Sequence, residues 1–334
     1  MKGRGGSGSP RMDGLHLNTH TKANVSVDKE RRVTIILPAN LDFEDHYEET
    51  SSHFAVLREA IHSGKRISNL DFSRIERIST SAALVLASEV DQWNQQVGSR
   101  LRANLPSWKE DIKRLLCQMG YFELLHLDRP EAEWPQKNTT FIPFKRGQAK
   151  AENSGQLAKQ LRIEIEALVG QKIKRHFLFE GLSEAITNVG QHAYRDVADY
   201  RRKQWWLSAS YDAETRQLCV TFYDQGDGIP NTLPRSHWVE VVKDVFNSWT
   251  DSQKIEAASD IGRSSSGMDE RGKGLQNLVE FAKAHSQGRL SIYSLHGMFA
   301  QSFANDGKTQ TQDSARKDFK NSIGGTLIEW SVSL

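Results

Sequence analysis

The stretch Glu184-Ala-Ile-Thr-Asn188-Val-Gly-Gln-His192 places a carboxylate, an amide and an imidazole four residues apart on one predicted helix. A spacing of four residues advances a helix by about 6 Å and nearly one turn, so we expect the three side chains on one face. The opposite stripe is apolar, as a helix that faces a core requires. That stripe consists of Leu178, Leu182, Ala185, Ile186 and Val189. A buried back with a polar front predicts a site, although a solvated helix face is the commoner meaning of such a pattern in isolation.

A second pattern follows a predicted strand. Residues 218–223 are apolar, β-branched or aromatic, which is typical of a buried strand. The run ends in Asp224-Gln-Gly226-Asp-Gly228. Alternate glycines after a strand-end carboxylate let the backbone turn sharply and approach a flat ligand closely. An ordinary turn explains the same residues equally well.

The third pattern, Arg271-Gly272-Lys273-Gly274-Leu275, opens another predicted helix. Glycines before a helix expose backbone N–H groups beside the positive end of the helix dipole, which favours phosphate binding, and the two basic side chains add charge. The run lacks the Gly-Lys-Ser/Thr ending of a Walker motif. It therefore predicts a phosphate seat of a different type.

A pair of glycines in Gly324-Gly325-Thr326 precedes the last predicted strand. In this order the four motifs resemble the boxes of the GHKL ATPase superfamily, which includes histidine kinases, gyrase-type topoisomerases, MutL-type proteins and anti-sigma serine kinases. The resemblance covers residues 156–334, and Leu-Ser-Glu-Ala-Ile-Thr-Asn is most similar to the anti-sigma serine kinases. It implies a Bergerat-type α+β sandwich, in which helices cover one face of an antiparallel mixed sheet.

The resemblance also implies a pocket for ATP and Mg²⁺. Asn188 would ligate the metal through its amide oxygen, which suits a hard cation otherwise held by phosphates and water. Glu184 would be the catalytic residue that orients or deprotonates a water or a substrate hydroxyl. For His192 in the nucleotide site, a supporting or capping role is as compatible with the pattern as a catalytic one.

At the adenine end, the resemblance assigns the recognition of the amino group to the carboxylate of Asp224. Gly226 and Gly228 would pass under the base, with Ile229 next to them in the binding set. Thr326 would hold Asp224 or a bridging water. The residues implied at the β- and γ-phosphates and their approach are Arg271, Gly272, Lys273, Gly274 and Leu275.

Four segments are expected from the composition and patterning. They are a flexible tail (1–28), a small α/β domain (29–130), a linker (131–155) with a short strand at 141–144, and the ATP-binding domain (156–334). Within the last, residues 229–272 would be a long lid over the triphosphate. Helices are predicted in it at 238–246 and 252–258, before a mobile Ser/Gly-rich run.

The α/β domain predicted for residues 29–130 resembles STAS domains, the anti-sigma-antagonist modules, in its strand, short loop and long helix at 69–95. In that family an Asp-Ser pair at the start of this helix carries the phosphorylated serine. The matching positions here are Ser79 and Thr80, so the aspartate is absent, and Ala82 replaces the usual glycine. Helix capping alone explains the hydroxyls, which leaves phosphorylation of Thr80 as one of two alternatives.

The composition excludes several classes. Forty-four basic and 42 acidic residues give a net charge of +2, and no basic run carries interleaved aromatics, so a nucleic-acid partner is not expected. Two cysteines do not make a disulfide framework. No apolar run approaches the roughly 18 residues of a membrane span, and the N-terminus lacks a signal core. The expectation is a cytoplasmic protein without a membrane partner.

Three functions are compatible with these motifs. The first is a regulatory switch, in which binding or hydrolysis of ATP controls the STAS-like domain or a protein partner. The second is a serine/threonine protein kinase of the anti-sigma type that acts on a STAS-type partner. The third is a nucleotide-dependent scaffold that does not hydrolyse ATP. A homodimer is a further expected assembly, because dimers are common in this superfamily.

Overall fold

A computed structural model describes most of the chain, and it has the mixed α/β class that the sequence predicts. The described residues are 25–27, 33–63, 67–98, 100–129, 138–148, 154–173, 177–194, 203–232, 248–264 and 274–334. Among them, no helix is long and apolar enough to cross a lipid bilayer.

The N-terminal unit contains two small sheets. The larger has the order β1-β2-β4-β6, with β2, β4 and β6 parallel and β1 antiparallel to β2, and the smaller pairs β3 with β5 in parallel. The strands are β1 (Val25–Val27), β2 (Val33–Ile36), β3 (Asn40–Leu41), β4 (Ile67–Asp71), β5 (Arg77–Ile78) and β6 (Arg102–Ala103). Parallel strands need crossover connections, which the helices between them supply.

The helices of this unit are α1 (Tyr47–Ser63), α2 (Thr80–Gln96), α3 (Glu110–Gln118) and α4 (Tyr121–Leu124). As predicted, α2 begins at a serine cap, because the Oγ of Ser79 accepts a hydrogen bond from the backbone N–H of Ala82 at 3.1 Å. Gly98 follows the helix with a φ of +66°, as a glycine stop does. Most of α2 is buried, so it lies between two layers rather than on a surface.

The C-terminal unit is built on a seven-stranded sheet in the order β12-β11-β10-β13-β9-β8-β7, in which each neighbouring pair is antiparallel. The strands are β7 (Thr139–Gln148), β8 (Gln204–Asp212), β9 (Gln217–Asp224), β10 (Gln287–Ser294), β11 (Gly297–Asn305), β12 (Gln310–Asp318) and β13 (Thr326–Ser333). The sheet is thus antiparallel throughout its described pairs rather than mixed.

Strand β7 lies inside the segment expected to be a linker, where only a short strand at 141–144 was predicted. It is ten residues long and forms one edge of the seven-stranded sheet. Its register with β8 shifts between Ile142 and Lys145, next to Pro143. An edge strand with an irregularity accommodates a proline that a central strand would not.

Helices cover one face of this sheet, which we call the helix face. They are α5 (Ser154–Val169), α6 (Phe177–Asn188), the short α7 (Ile229–Thr232), α8 (Asp251–Ser264) and α9 (Gly274–Lys283). The predicted apolar stripe of α6 is buried in this core together with strand residues such as Trp205 and Phe222. The prediction of a core-facing α6 is therefore confirmed.

The N-terminal unit packs against the other face, which we call the N-terminal face. Trp206, Tyr223, Tyr293 and Leu327 point to this side and belong to the same apolar cluster as the core of the N-terminal unit. Strands with apolar residues at successive positions, such as Trp205 and Trp206, are buried on both faces. The sequence predicted a separate domain that precedes the ATPase-like part, but not that it covers this sheet.

Part of the segment expected to be a lid, 229–272, is a docked helix. The predicted helix at 252–258 is found as α8, which starts at Asp251 and continues to Ser264. Ile255 is fully buried in the helix-face core. The carboxylate of Asp318 accepts hydrogen bonds from the N–H and the hydroxyl of Ser252 at 2.9 and 2.7 Å. The helix predicted at 238–246 lies outside the described residues, as does the chain from 265 to 273.

Candidate functional site

Helix α6 carries the carboxylate and the amide of the first motif. Glu184 and Asn188 lie one turn apart, and the Asn188 side chain is hydrogen-bonded to Glu184. Burial raises the pKa of Glu184, and the hydrogen bond from Asn188 opposes this shift. A carboxyl group with a raised pKa is a candidate general base, and the amide oxygen of the neighbouring Asn188 is a candidate metal ligand.

The α-helix does not continue to His192, contrary to the prediction of one helix with three aligned polar residues. A π-helical turn spans Val189–Ala193, and the side chain of His192 lies outside the described part of the chain. Turns of this type are frequent at functional sites. The turn leaves backbone carbonyls for other partners: Gly190 O accepts a hydrogen bond from the Lys203 Nζ at 3.0 Å.

The turn of the second motif, 224–228, lies against the end of this helix. The backbone N–H of Asp227 donates to the carbonyl of Ala193 at 2.5 Å. A Cβ atom on Gly226 would overlap the same carbonyl, so the close approach that glycine permits here is to the protein's own backbone. Gly228 has a φ of +81°, which favours glycine. The second motif therefore contacts Ala193, the residue that directly follows the first motif.

Asp224 ends β9 and is buried. It lies in register between Trp205 of β8 and Thr326 of β13, on the helix face. Burial raises its pKa to about 7, the N–H of Gly226 that donates to its Oδ1 at 2.8 Å lowers it, and the charge of Asp227 raises it further. A buried carboxylate with few donors favours a ligand that brings one, such as an amino group.

Ser294, at the end of β10, is a site residue that the sequence motifs did not predict. Its Oγ accepts the N–H of Ile229 at 2.9 Å, donates to the carbonyl of Gly325 at 3.2 Å and lies 2.9 Å from the hydroxyl of Thr326. The Thr326 hydroxyl thus bonds to Ser294, while its backbone lies directly opposite Asp224. Ser294 connects the second motif to the fourth. No local pattern around a serine at a strand end signals this role.

The third motif is described only at its end. Arg271, Gly272 and Lys273 lie outside the described residues, and Gly274 and Leu275 begin α9. Helix α9 packs closely on α6, because Gly181 leaves room for the side chain of Leu278. Gly181 precedes Glu184 by one turn and Leu278 follows Gly274 by one turn, so Glu184 and the start of α9 each lie one helical turn from this contact.

The described parts of the first, second and fourth motifs thus lie near one another on the helix face, where α6 ends and β9, β10 and β13 have their ends, and the start of α9 lies one turn from the contact between α9 and α6. Within the described ranges, no group of three or more His, Cys, Asp or Glu side chains is arranged to hold a metal ion. No family model matches this sequence, and no curated protein matches it significantly.

Proposed function

We propose that this chain is a GHKL-type regulatory protein. It binds Mg-ATP on the helix face and uses binding or hydrolysis to switch its STAS-like N-terminal unit or a protein partner. The observation that carries the proposal is the contact of the second motif with the residue that directly follows the first: the Asp227 N–H and Gly226 both lie against the carbonyl of Ala193, at the end of the π turn that follows the Glu184 helix. Two motifs forty residues apart in a predicted ATP-site order, adjacent in the fold, support one shared ligand.

In this proposal Asp224 recognises the adenine amino group, and Gly226, Gly228 and Ile229 border the base. Its carboxylate favours adenine over guanine, because the amino group of adenine is a donor where guanine carries an acceptor. Thr326 and Ser294 hold the base end of the pocket in place. Asn188 contributes one oxygen to Mg²⁺, and Glu184 acts on the nucleophile. The start of α9 provides N–H groups and a helix dipole for the phosphates.

The switch is favoured over self-phosphorylation at the STAS-like loop by the placement of that loop. Ser81 is buried and its side chain is hydrogen-bonded to Glu329 of β13. Glu329 alternates with Ile328 and Trp330 of the helix-face core, so it points to the N-terminal face. The sheet therefore separates Ser79 and Thr80 from Glu184. A kinase activity would have to act on a separate molecule.

The proposal is tested with the purified full-length chain, ATP and MgCl₂. Calorimetry is expected to detect the binding of ATP, and GTP is expected to bind much more weakly. Incubation with γ-labelled ATP then distinguishes hydrolysis, protein phosphorylation and binding alone. Release of free phosphate supports a hydrolytic switch, and label on the protein supports the kinase. ATP binding without either supports a switch or scaffold driven by binding alone. The absence of any ATP binding would exclude the proposal.

A further inference from the structure

The turn Ile323-Gly324-Gly325, just before β13, is held by the N-terminal unit. The Nη2 of Arg58, on α1, donates to the carbonyl of Ile323 at 2.8 Å. The same guanidinium forms an ion pair with Glu89 of α2, in which Nε donates to Oε1 at 3.0 Å. Gly324 has a φ of +76°, and a Cβ atom there would overlap the Arg58 guanidinium. The turn is therefore shaped to accept this arginine.

The opposite side of the turn lies against Asp224. Gly325 has a φ of +127°, and a Cβ atom on it would overlap the backbone carbonyl of Asp224. The Gly325 carbonyl also accepts the hydroxyl of Ser294 and, at 3.1 Å, the N–H of Leu295. The turn thus fills the space between Arg58 and the buried end of β9.

The neighbours of Asp224 in the chain make the same connection. Because side chains alternate along a strand, Tyr223 points to the N-terminal face when Asp224 points to the helix face. The Tyr223 hydroxyl lies 3.2 Å from the carbonyl of Ile323 and 2.8 Å from that of Gly324. The amide of Gln225 donates to the hydroxyl of Ser88 on α2 at 3.4 Å. One residue that flanks Asp224 therefore bonds to the turn 323–325, and the other bonds to the N-terminal unit.

Because two charges must be desolvated, a buried ion pair is a weak source of stability for the contact between α1 and α2. Burial disfavours the charge of Arg58, whereas the adjacent Glu89 favours it, and the pKa of Arg58 is raised overall. Apolar side chains of similar size often replace a buried ion pair without loss of stability. What apolar side chains do not replace is the hydrogen bond that Arg58 donates to Ile323.

We propose that Arg58 is a positioning residue for the nucleotide pocket: from the N-terminal unit, it holds the turn 323–325 and thereby the adenine-recognising end of β9. The inference rests on the proposed function, since it assigns the regulation of that same pocket. By linkage, a nucleotide that requires this turn geometry stabilises the contact with the N-terminal unit by the same free energy. The pocket and the N-terminal unit are in this way energetically coupled.

The test is the double variant Arg58→Met/Glu89→Met in the full-length chain. It removes both charges, so thermal unfolding is expected near the wild-type temperature, but the hydrogen bond to Ile323 is lost. Mg-ATP affinity measured by calorimetry is expected to fall about tenfold, the typical effect of one charge-assisted hydrogen bond. The calorimetric stoichiometry and the rate of phosphate release at saturating ATP are expected to stay unchanged, which a partly unfolded sample would not show.

Two controls complete the experiment. Arg146→Met breaks another ion pair between the two units, with Asp91 at 3.1 Å and away from the turn, and is expected to leave the affinity unchanged. Should the double variant not fold, Tyr223→Phe is used instead, because it removes a hydroxyl that bonds to the same turn. Tyr211→Phe on β8 is its matched control. Equal ATP affinity in the wild type and in all turn variants would overturn the inference alone. A wild-type chain that does not bind ATP would instead overturn the proposed function.

Discussion

Trp205 and Trp206 are adjacent residues of β8, yet they lie in different cores. Trp205 stacks on Phe222 on the helix face, with ring centroids 5.7 Å apart, and is in register with Asp224. Trp206 packs near Tyr223 on the N-terminal face and donates its Nε1–H to Asp91 of α2 at 2.9 Å. One sheet thus separates the candidate site from the N-terminal unit by the thickness of a strand. The same strands therefore carry side chains into two separate environments, the candidate site on one face and the contact with the N-terminal unit on the other.

The largest effect on stability is expected for a variant that disrupts contacts on the N-terminal face only. Arg58→Met removes one partner of a buried ion pair and leaves the Glu89 carboxylate in a buried position without this arginine. Breaking such a pair costs about 3–5 kcal/mol. We expect the free energy of unfolding, measured by urea denaturation, to fall by this amount. The double variant Arg58→Met/Glu89→Met serves as the control and should recover most of it, and a loss below about 1 kcal/mol in the single variant would contradict the assigned burial.

On the helix face, Asp224→Asn is expected to separate stability from binding. Burial raises the folded-state pKa of Asp224 to about 7, from the ordinary aspartate value of 3.8. Because this pKa is raised, the contribution of the protonated carboxyl group to the stability of the fold is complete below about pH 4 and is lost as the pH rises through 7. An asparagine has no such charge to bury. We therefore expect the variant to be more stable than the wild type by about 1–3 kcal/mol at pH 8, with little difference at pH 4.

The same variant is expected to bind ATP about tenfold or more weakly, because a hydrogen bond to a charged group is replaced by one to a neutral amide. In the wild type, ATP affinity is expected to increase between pH 6 and 8 as Asp224 ionises, and in the variant this increase should be absent. Urea denaturation and calorimetry at several pH values give both quantities. Unchanged affinity in the variant would exclude Asp224 as the adenine-recognising residue.

Glu184→Ala tests the chemical end of the helix face. We expect ATP binding to persist and phosphate release to fall at least tenfold, or about 1.4 kcal/mol in the barrier, because the proposed general base is lost. Glu180→Ala, one turn earlier on α6, is a matched control that should leave the rate unchanged. Turnover by Glu184→Ala at the wild-type rate would remove Glu184 from its proposed role.

The smallest effect on ATP affinity is expected when two serines of β10 that point to opposite faces are compared. Ser294→Ala removes the acceptor of the Ile229 N–H on the helix face, whereas Ser291→Ala removes a partner of Arg289 on the other. Ser294→Ala is expected to weaken ATP binding about threefold, which is about 0.6 kcal/mol, and Ser291→Ala to leave it unchanged. Equal effects of the two variants on ATP affinity would remove the distinction between the faces.

Much of the local structure was predictable from neighbouring residues. The apolar stripe predicted α6, the Ser79 cap predicted the start of α2, and the apolar run before Asp224 predicted β9. These predictions succeed because caps, periodicity and strand composition act over a few positions. The π turn at Val189–Ala193 was missed, since its carbonyls find partners elsewhere in the fold.

By itself, the sequence determined local elements such as α2, α6 and β9, the motif order and the carboxylate, amide and glycine residues of the candidate site. Only the tertiary structure decided that the N-terminal unit covers the second face of the sheet, that Ser294 joins Ile229 to Thr326, and that Arg58 bonds to Ile323. The last two residues are 265 positions apart. No local propensity encodes such a contact, because it forms only when alternating strand faces, burial and the packing of whole layers are satisfied together.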